Sequence, residues 1–183
     1  MSTVTLQQVR DAAAIIAPNV RRTPLWPMAL PGGRTVHLKL ENLQVTGSFK
    51  ARGAFNFMHG LDATAAHNGL VAMSAGNHAQ GVALAARERG IPVTVVMPAA
   101  APLAKVISAR ELGAKVILHG ASLDEARAEA TAIAGREGRI FVPPFDDDTI
   151  IAGQGTVGLE IVEQHPAVEE GLVPAGEIGR AHV

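Results

Sequence analysis

Cysteine and tyrosine are absent from the 183-residue sequence, and five Phe and one Trp are its only aromatics. Without cysteine there is no disulfide, no thiolate nucleophile and no Cys-ligated metal, and nothing signals an oxidising compartment, so a cytoplasmic location is expected. Six aromatic rings leave few platforms on which nucleic-acid bases could stack. An excess of one charge is also lacking: 16 Lys and Arg stand against 17 Asp and Glu. Such a balance offers no field for phosphate backbones or anionic lipid, and neither nucleic acid nor membrane is expected as a partner. The run Ala12–Ala17 is too short to span a bilayer, and Met1–Arg10 has no apolar core of the signal-peptide kind. What remains, with 48% apolar residues, is the composition of a soluble globular chain with enough length to bury a core.

Thr5-Leu6-Gln7-Gln8 has the spacing of a capping box, which predicts a helix from Leu6 to about Ile16 before Pro18. Arg21–Gly33, with three prolines and two glycines, reads as a connection. Thr35–Glu41 alternates, with Val36, Leu38 and Leu40 on an apolar face and His37, Lys39 and Glu41 on a wet one, which predicts a half-buried strand. Ser48 can cap a helix running toward Met58. Short apolar runs follow at Leu70–Met73, Val93–Met97, Val116–Leu118 and Ile140–Val142. Ala-rich helical stretches lie between them, at His78–Arg89, Leu103–Leu112 and Leu123–Arg136, the last opened by a second capping box, Ser122-Leu123-Asp124-Glu125. Strands alternating with helices, without hairpin turns, imply βαβ crossovers and a parallel sheet covered by helices. After Pro143-Pro144 and the Asp146–Asp148 run, a further helix to Gln164 and a strand start at Gly171–Pro174 are expected.

Three clusters carry candidate chemistry. Gly153-Gln154-Gly155-Thr156-Val157-Gly158 matches the G-x-G-x-x-G turn of nicotinamide-dependent Rossmann proteins, but no buried strand precedes it, and helix packing through small residues competes with phosphate binding. Ser74-Ala75-Gly76-Asn77-His78 lies between a strand and a helix. There it offers backbone N–H groups at the positive end of the helix dipole to a carboxylate or phosphate. The alternative is an ordinary turn in which Asn77 or His78 caps the helix. Lys50 opens a helix, where a cation is disfavoured. It is therefore either a solvated surface lysine or an amine for Schiff-base chemistry, which requires the neutral form.

Ser48-Phe49-Lys50-Ala51-Arg52-Gly53 and Ser74-Ala75-Gly76-Asn77-His78-Ala79-Gln80-Gly81 together resemble the lysine motif and the substrate-carboxylate loop of pyridoxal-phosphate enzymes of fold type II, specifically threonine dehydratases and their serine racemase relatives. Further stretches agree in order: Thr23-Pro24-Leu25, Leu38-Lys39-Leu40-Glu41, Val96-Met97-Pro98, Gly113-Ala114, Leu118-His119-Gly120, Pro143-Pro144-Phe145-Asp146 and Ile151–Thr156. The resemblance covers roughly Arg22–Gly176. It implies an α/β fold of two domains with parallel open sheets. Residues 1–52 would belong to a large cofactor-binding domain, 53–147 would form a small α/β domain, and 148–176 would return to the large one.

It further implies that Lys50 holds pyridoxal 5′-phosphate through a Schiff base and moves the α-proton, that Phe49 lies against the cofactor ring, and that Asn77 bonds its phenolic oxygen. Backbone amides of Ser74, Ala75, Gly76, Asn77 and His78 would hold the substrate carboxylate. No metal is implied. The implied reaction is dehydration and deamination of L-threonine or L-serine, with serine racemase and hydroxyaspartate dehydratase as competitors. Ala75 stands where serine racemases usually carry a Ser that acts on the second face, which disfavours racemisation. The resemblance also implies a homo-oligomeric parent enzyme. Relatives continue beyond Val173-Pro174-Ala175-Gly176 into a glycine-rich phosphate loop, and Glu177–Val183 reads as translated adapter sequence, a non-native tail. The expectation is a truncated chain, inactive by itself.

Overall fold

In the computed structural model, residues 4–62 and 66–173 are described. Helix α1, Leu6–Ile16, opens as the spacing predicts: the Gln8 N–H donates to Thr5 Oγ1 and the Thr5 N–H donates to Gln8 Oε1. Strands β1, Leu25–Ala29, and β2, Thr35–Lys39, follow and pair antiparallel. The Arg21–Gly33 segment is thus more than a connection, because Pro27 occupies a strand that has only one neighbour, where its missing N–H costs no ladder bond. Val36 is half-buried and His37 exposed, as alternation predicts, but the end of β2 reverses the expectation. Leu38 is 39% exposed, whereas the Lys39 side chain is 7% exposed and points into an ion-pair network described below.

A 3-10 turn at Glu41–Leu43 precedes α2, Lys50–His59. The remaining elements are β3, Leu70–Met73; α3, Asn77–Glu88; β4, Val93–Met97; α4, Leu103–Glu111; β5, Lys115–Leu118; α5, Leu123–Glu137; β6, Ile140–Phe141; and α6, Asp148–Gln164. All four later strands run parallel in the order β5-β4-β3-β6. This is the helix-covered parallel sheet that the alternating pattern implies. Its inner strands are continuous apolar runs because both faces are covered. Leu70, Ala72, Val93, Val95 and Met97 face α2, α3 and α4, while Val71 and Val96 face Ala126, Ala130 and Ile133 of α5. Alanine on the covering helices lets each approach the sheet closely.

Two local readings need correction. At Ser122 only half of a capping box forms: the Ser122 side chain accepts the Glu125 N–H, but the Glu125 carboxylate turns to the Ala121 N–H. Residues 171–173 carry no strand, and Leu172 and Val173 are largely exposed. Pro174–Gly176 and Glu177–Val183 lie outside the described residues. The 52/53 boundary falls inside α2, whose Ala51, Ala54, Phe55 and Met58 belong to the same core as β3 and α3.

Candidate active site

The chain runs from β3 through α3 and α4 to β4 and β5 on one side of β3, then crosses the opposite face through α5 to put β6 on the other side. The strand order therefore reverses between β3 and β6. In open α/β sheets the crevice at the carboxyl ends of such a pair is where ligands bind, because the outgoing loops part there. Ser74-Ala75-Gly76 leaves β3 at this point, and Val142-Pro143-Pro144 leaves β6. The Val142 N–H still donates to Val71 O, so the second loop starts from a strand held in register.

Lys50 arrives from a third direction. It is the first residue of α2 and only 6% exposed, which excludes a solvated surface lysine. Its helix is seated against α3 at Gly81, where an added Cβ would stand 3.1 Å from the Lys50 carbonyl carbon and oxygen. Gly81 lies one turn beyond Asn77, so the same helix that presents the Ser74–Asn77 turn also bears on the Lys50 peptide. The Lys50 Nζ donates to Pro144 O at 3.1 Å and sits 5.2 Å over the centroid of the Phe49 ring. His78, 3% exposed, places Nε2 3.2 Å from Val142 O. Lys50 and His78, far apart in sequence, thus both reach the 142–144 segment.

Within the turn the amides are not equivalent. The Ser74 N–H donates to Val96 O at 3.2 Å, continuing the sheet, and the Gly76 N–H donates to Ser74 Oγ at 3.0 Å. Gly76 is the helix cap, with no side-chain capping bond, and Asn77 is already the first helical residue. Neither Asn77 nor His78 fills the capping role of the ordinary-turn alternative. Chemically the arrangement supplies a buried primary amine beside an aromatic ring and, at the end of β3, a helix N-terminus that opens with Asn77. That donor set fits an aldehyde-bearing aromatic cofactor and an anionic substrate. Among the described residues, no cluster of three or more His, Asp or Glu side chains is placed to hold a metal ion.

Gly153–Gly158 lies wholly inside α6, whose cap is Asp147, accepting the Thr149 and Ile150 N–H groups. A helix interior presents no N–H groups to a phosphate, so the dinucleotide-turn reading fails. Gly153 and Gly155 serve packing, the first backing onto Gly53 of α2 and the second onto Val9 of α1, whereas Gly158 faces open space.

One cluster was hidden from sequence reasoning. Arg52, fully buried two residues after Lys50, donates from Nε to Glu41 Oε2 at 2.9 Å and from its two terminal nitrogens to Glu41 Oε1 at 2.8 Å and Glu160 Oε1 at 2.7 Å. It also reaches Thr156 Oγ1 and the Arg21 carbonyl. Lys39 joins Glu160 to Thr23 O and Gln164 Oε1, and the Thr23 hydroxyl donates to Glu41. Burial alone favours neutral Arg52, but hydrogen bonds and charge from Glu41 and Glu160 outweigh it and hold the guanidinium above its ordinary value. Burial likewise opposes the Glu160 carboxylate, and the bonds and charges of Arg52 and Lys39 overcome it, holding Glu160 below its ordinary value. The signal in the sequence was Lys39 and Glu41 in a strand otherwise apolar on alternate positions, which alternation alone assigns to solvent.

The family model described as pyridoxal-phosphate dependent enzyme matches residues 16–182. An L-threonine ammonia-lyase of Thermotoga maritima is 49% identical over 176 residues, covering 94% of this chain and 44% of that relative. Among solved structures, maize serine racemase superposes with a TM-score of 0.84 at 37% identity, over 91% of this chain and 51% of that one. The processed threonine deaminase isoform 2 of Solanum lycopersicum gives 0.79 at 36% identity, over 86% and 45%. The chain spans about half the length of the curated relatives it matches. The parallel-sheet α/β fold expected from the resemblance is that of these enzymes. Among the described residues no helix is long and apolar enough to cross a membrane.

Proposed function

The chain belongs to the pyridoxal-phosphate-dependent enzyme family, and from that premise we propose that it carries the amine-bearing half of a threonine dehydratase acting on L-threonine or L-serine. The observation that carries this reading is the buried Lys50 amine, 3.1 Å from Pro144 O at the crevice where the Ser74–His78 turn leaves the sheet. When bound, the cofactor supplies an electron sink that makes the α-proton of an amino acid removable. Lys50 provides the amine that anchors its aldehyde and then carries the α-proton at Nζ. The Phe49 ring backs the amine, Asn77 at the start of α3 provides the amide for the phenolic oxygen, and the α3 terminus supports the substrate carboxylate. Ser74 contributes through Oγ, which holds the Gly76 amide, since its own N–H is committed to Val96.

The names of the T. maritima and tomato relatives support elimination over racemisation, and Ala75 removes the hydroxyl that a second-face proton transfer would use. Serine racemisation remains the second reading, favoured by the maize likeness. The division into a small domain at 53–147 and a large one at 1–52 and 148–176 belongs to this proposal, as do a cytoplasmic location and homo-oligomeric assembly. So does inactivity of the chain alone, which spans about half the length of its relatives.

The test is 2-oxo acid formation from L-threonine and L-serine by cofactor-loaded protein, assayed for this chain alone and for the chain joined to the remaining half of the T. maritima relative. Turnover by the joined protein, abolished in Lys50→Ala, is expected. A well-folded, cofactor-loaded joined protein that deaminates neither substrate overturns the assignment.

A further inference from the structure

We propose that Arg52 is a positioning residue for Lys50, and that the buried charges around it act by holding the first turn of α2 in place. This rests on the reading of Lys50 as the reactive amine. The first turn of a helix is held least by its own backbone, because its N–H groups have no partner within the helix. Here the Lys50 N–H donates to Ser48 Oγ at a long 3.4 Å, and the Arg52 N–H reaches Phe49 O in a 3-10 turn. The side-chain tether is far stronger. Arg52 is gripped in bidentate fashion by Glu41 and again by Glu160, and these acceptors come from the 3-10 turn after β2 and from α6. Two residues apart on a helix, Arg52 and Lys50 point to nearly opposite sides. The guanidinium therefore anchors one side of the turn while the amine projects from the other toward Pro144.

Stability alone does not account for such a network. Buried ion pairs are often replaced by apolar residues without loss, because desolvation consumes most of their attraction. A planar fork with five donors does offer what an apolar contact does not, a fixed direction. Glu160 is shared with Lys39, which also binds Thr23 O and Gln164, so the anchor itself is held from β2 and the far end of α6. The two cations and two carboxylates balance, leaving no net charge behind the amine.

The test uses the chain with 13C-labelled lysine, which holds four such residues, Lys39, Lys50, Lys105 and Lys115; Lys50→Arg identifies the Lys50 resonance. The variants are Arg52→Met and, should that not fold, Glu160→Gln, whose single amide oxygen can replace only one of the two carboxylate oxygens that accept from Arg52 and Lys39. In folded protein the Lys50 side-chain resonance should shift and broaden while Lys105 and Lys115 stay unchanged, whatever happens to the melting temperature. Schiff-base absorbance with pyridoxal phosphate, in which a C=N bond forms and the aldehyde oxygen leaves as water, should weaken when the same substitutions are made in the joined protein. A Lys50 resonance unmoved in a folded variant overturns the proposal and leaves the network a purely structural element. Movement of Lys105 and Lys115 along with Lys50 also overturns it, since that is general loosening. Failure of the unsubstituted joined protein to form a Schiff base at Lys50 would count against the proposed function, while the resonances would still decide the positioning role.

Discussion

Replacing Gly153 by Ala asks whether the small residues of α6 exist for packing. An added Cβ at Gly153 would stand 2.7 Å from Gly53 Cα, 2.8 Å from Arg52 O and 2.9 Å from Asn56 Cβ. Two of these atoms are backbone, so relief requires α6 to move away from α2. Overpacking of this kind costs about 1–3 kcal/mol, partly offset by the roughly 0.5–1 kcal/mol that Ala gains over Gly inside a helix. The net expectation is a destabilisation of up to about 2.5 kcal/mol, a urea midpoint lower by up to about 1.2 M at an m-value of about 2 kcal/mol/M. Gly158 provides the control on the same helix, because an added Cβ there meets nothing within 4 Å. Gly158→Ala should raise the midpoint by a few tenths of a molar through propensity alone. Urea titrations followed by circular dichroism measure both. Equal stability of the two variants would refute the close contact between α2 and α6. A third variant, Gly81→Ala, probes the other side of α2, where the contacts at 3.1 Å require a smaller adjustment.

Other expectations concern the network, the core and the turn. Glu160 is held below its ordinary value of 4.5, so the folded state binds a proton less readily than the unfolded one. Its stabilisation is present above that value and is lost as pH falls through the lowered one, and acid titrations of Glu160→Gln should show a shallower loss over this window than the unsubstituted chain. Leu70→Ala, at a fully buried position of a central strand, should cost about 2–5 kcal/mol, whereas Leu123→Ala at a half-exposed helix start should stay within about 0.5 kcal/mol; equal effects in chemical denaturation would contradict the assigned core. In the active joined protein, Ala75→Ser should raise the ratio of racemisation to elimination with L-serine, measured by chiral chromatography. An unchanged ratio would place the second-face group elsewhere.

The alternation of apolar runs with Ala-rich stretches by itself determined the parallel sheet, because strand and helix periods differ and each βα unit buries its own residues. Thr5 and Gln8 fixed the start of α1 for the same local reason: a capping box closes within one turn. The Lys50 and Ser74–His78 motifs were equally readable as resemblance. Their meeting was not, because it depends on β6 returning beside β3 and on Gly81 letting α3 rest on the Lys50 peptide. Tertiary structure alone also decided the faces of β2. Alternation shows that Lys39 and Leu38 point opposite ways, but not which way is inward, and an ion pair with Glu160, more than a hundred residues distant, reverses the usual preference. The Gly153–Gly158 pattern was undecidable locally for a similar reason, since the same glycines suit a phosphate turn or a helix crossing, and only the partner, here Gly53, distinguishes them.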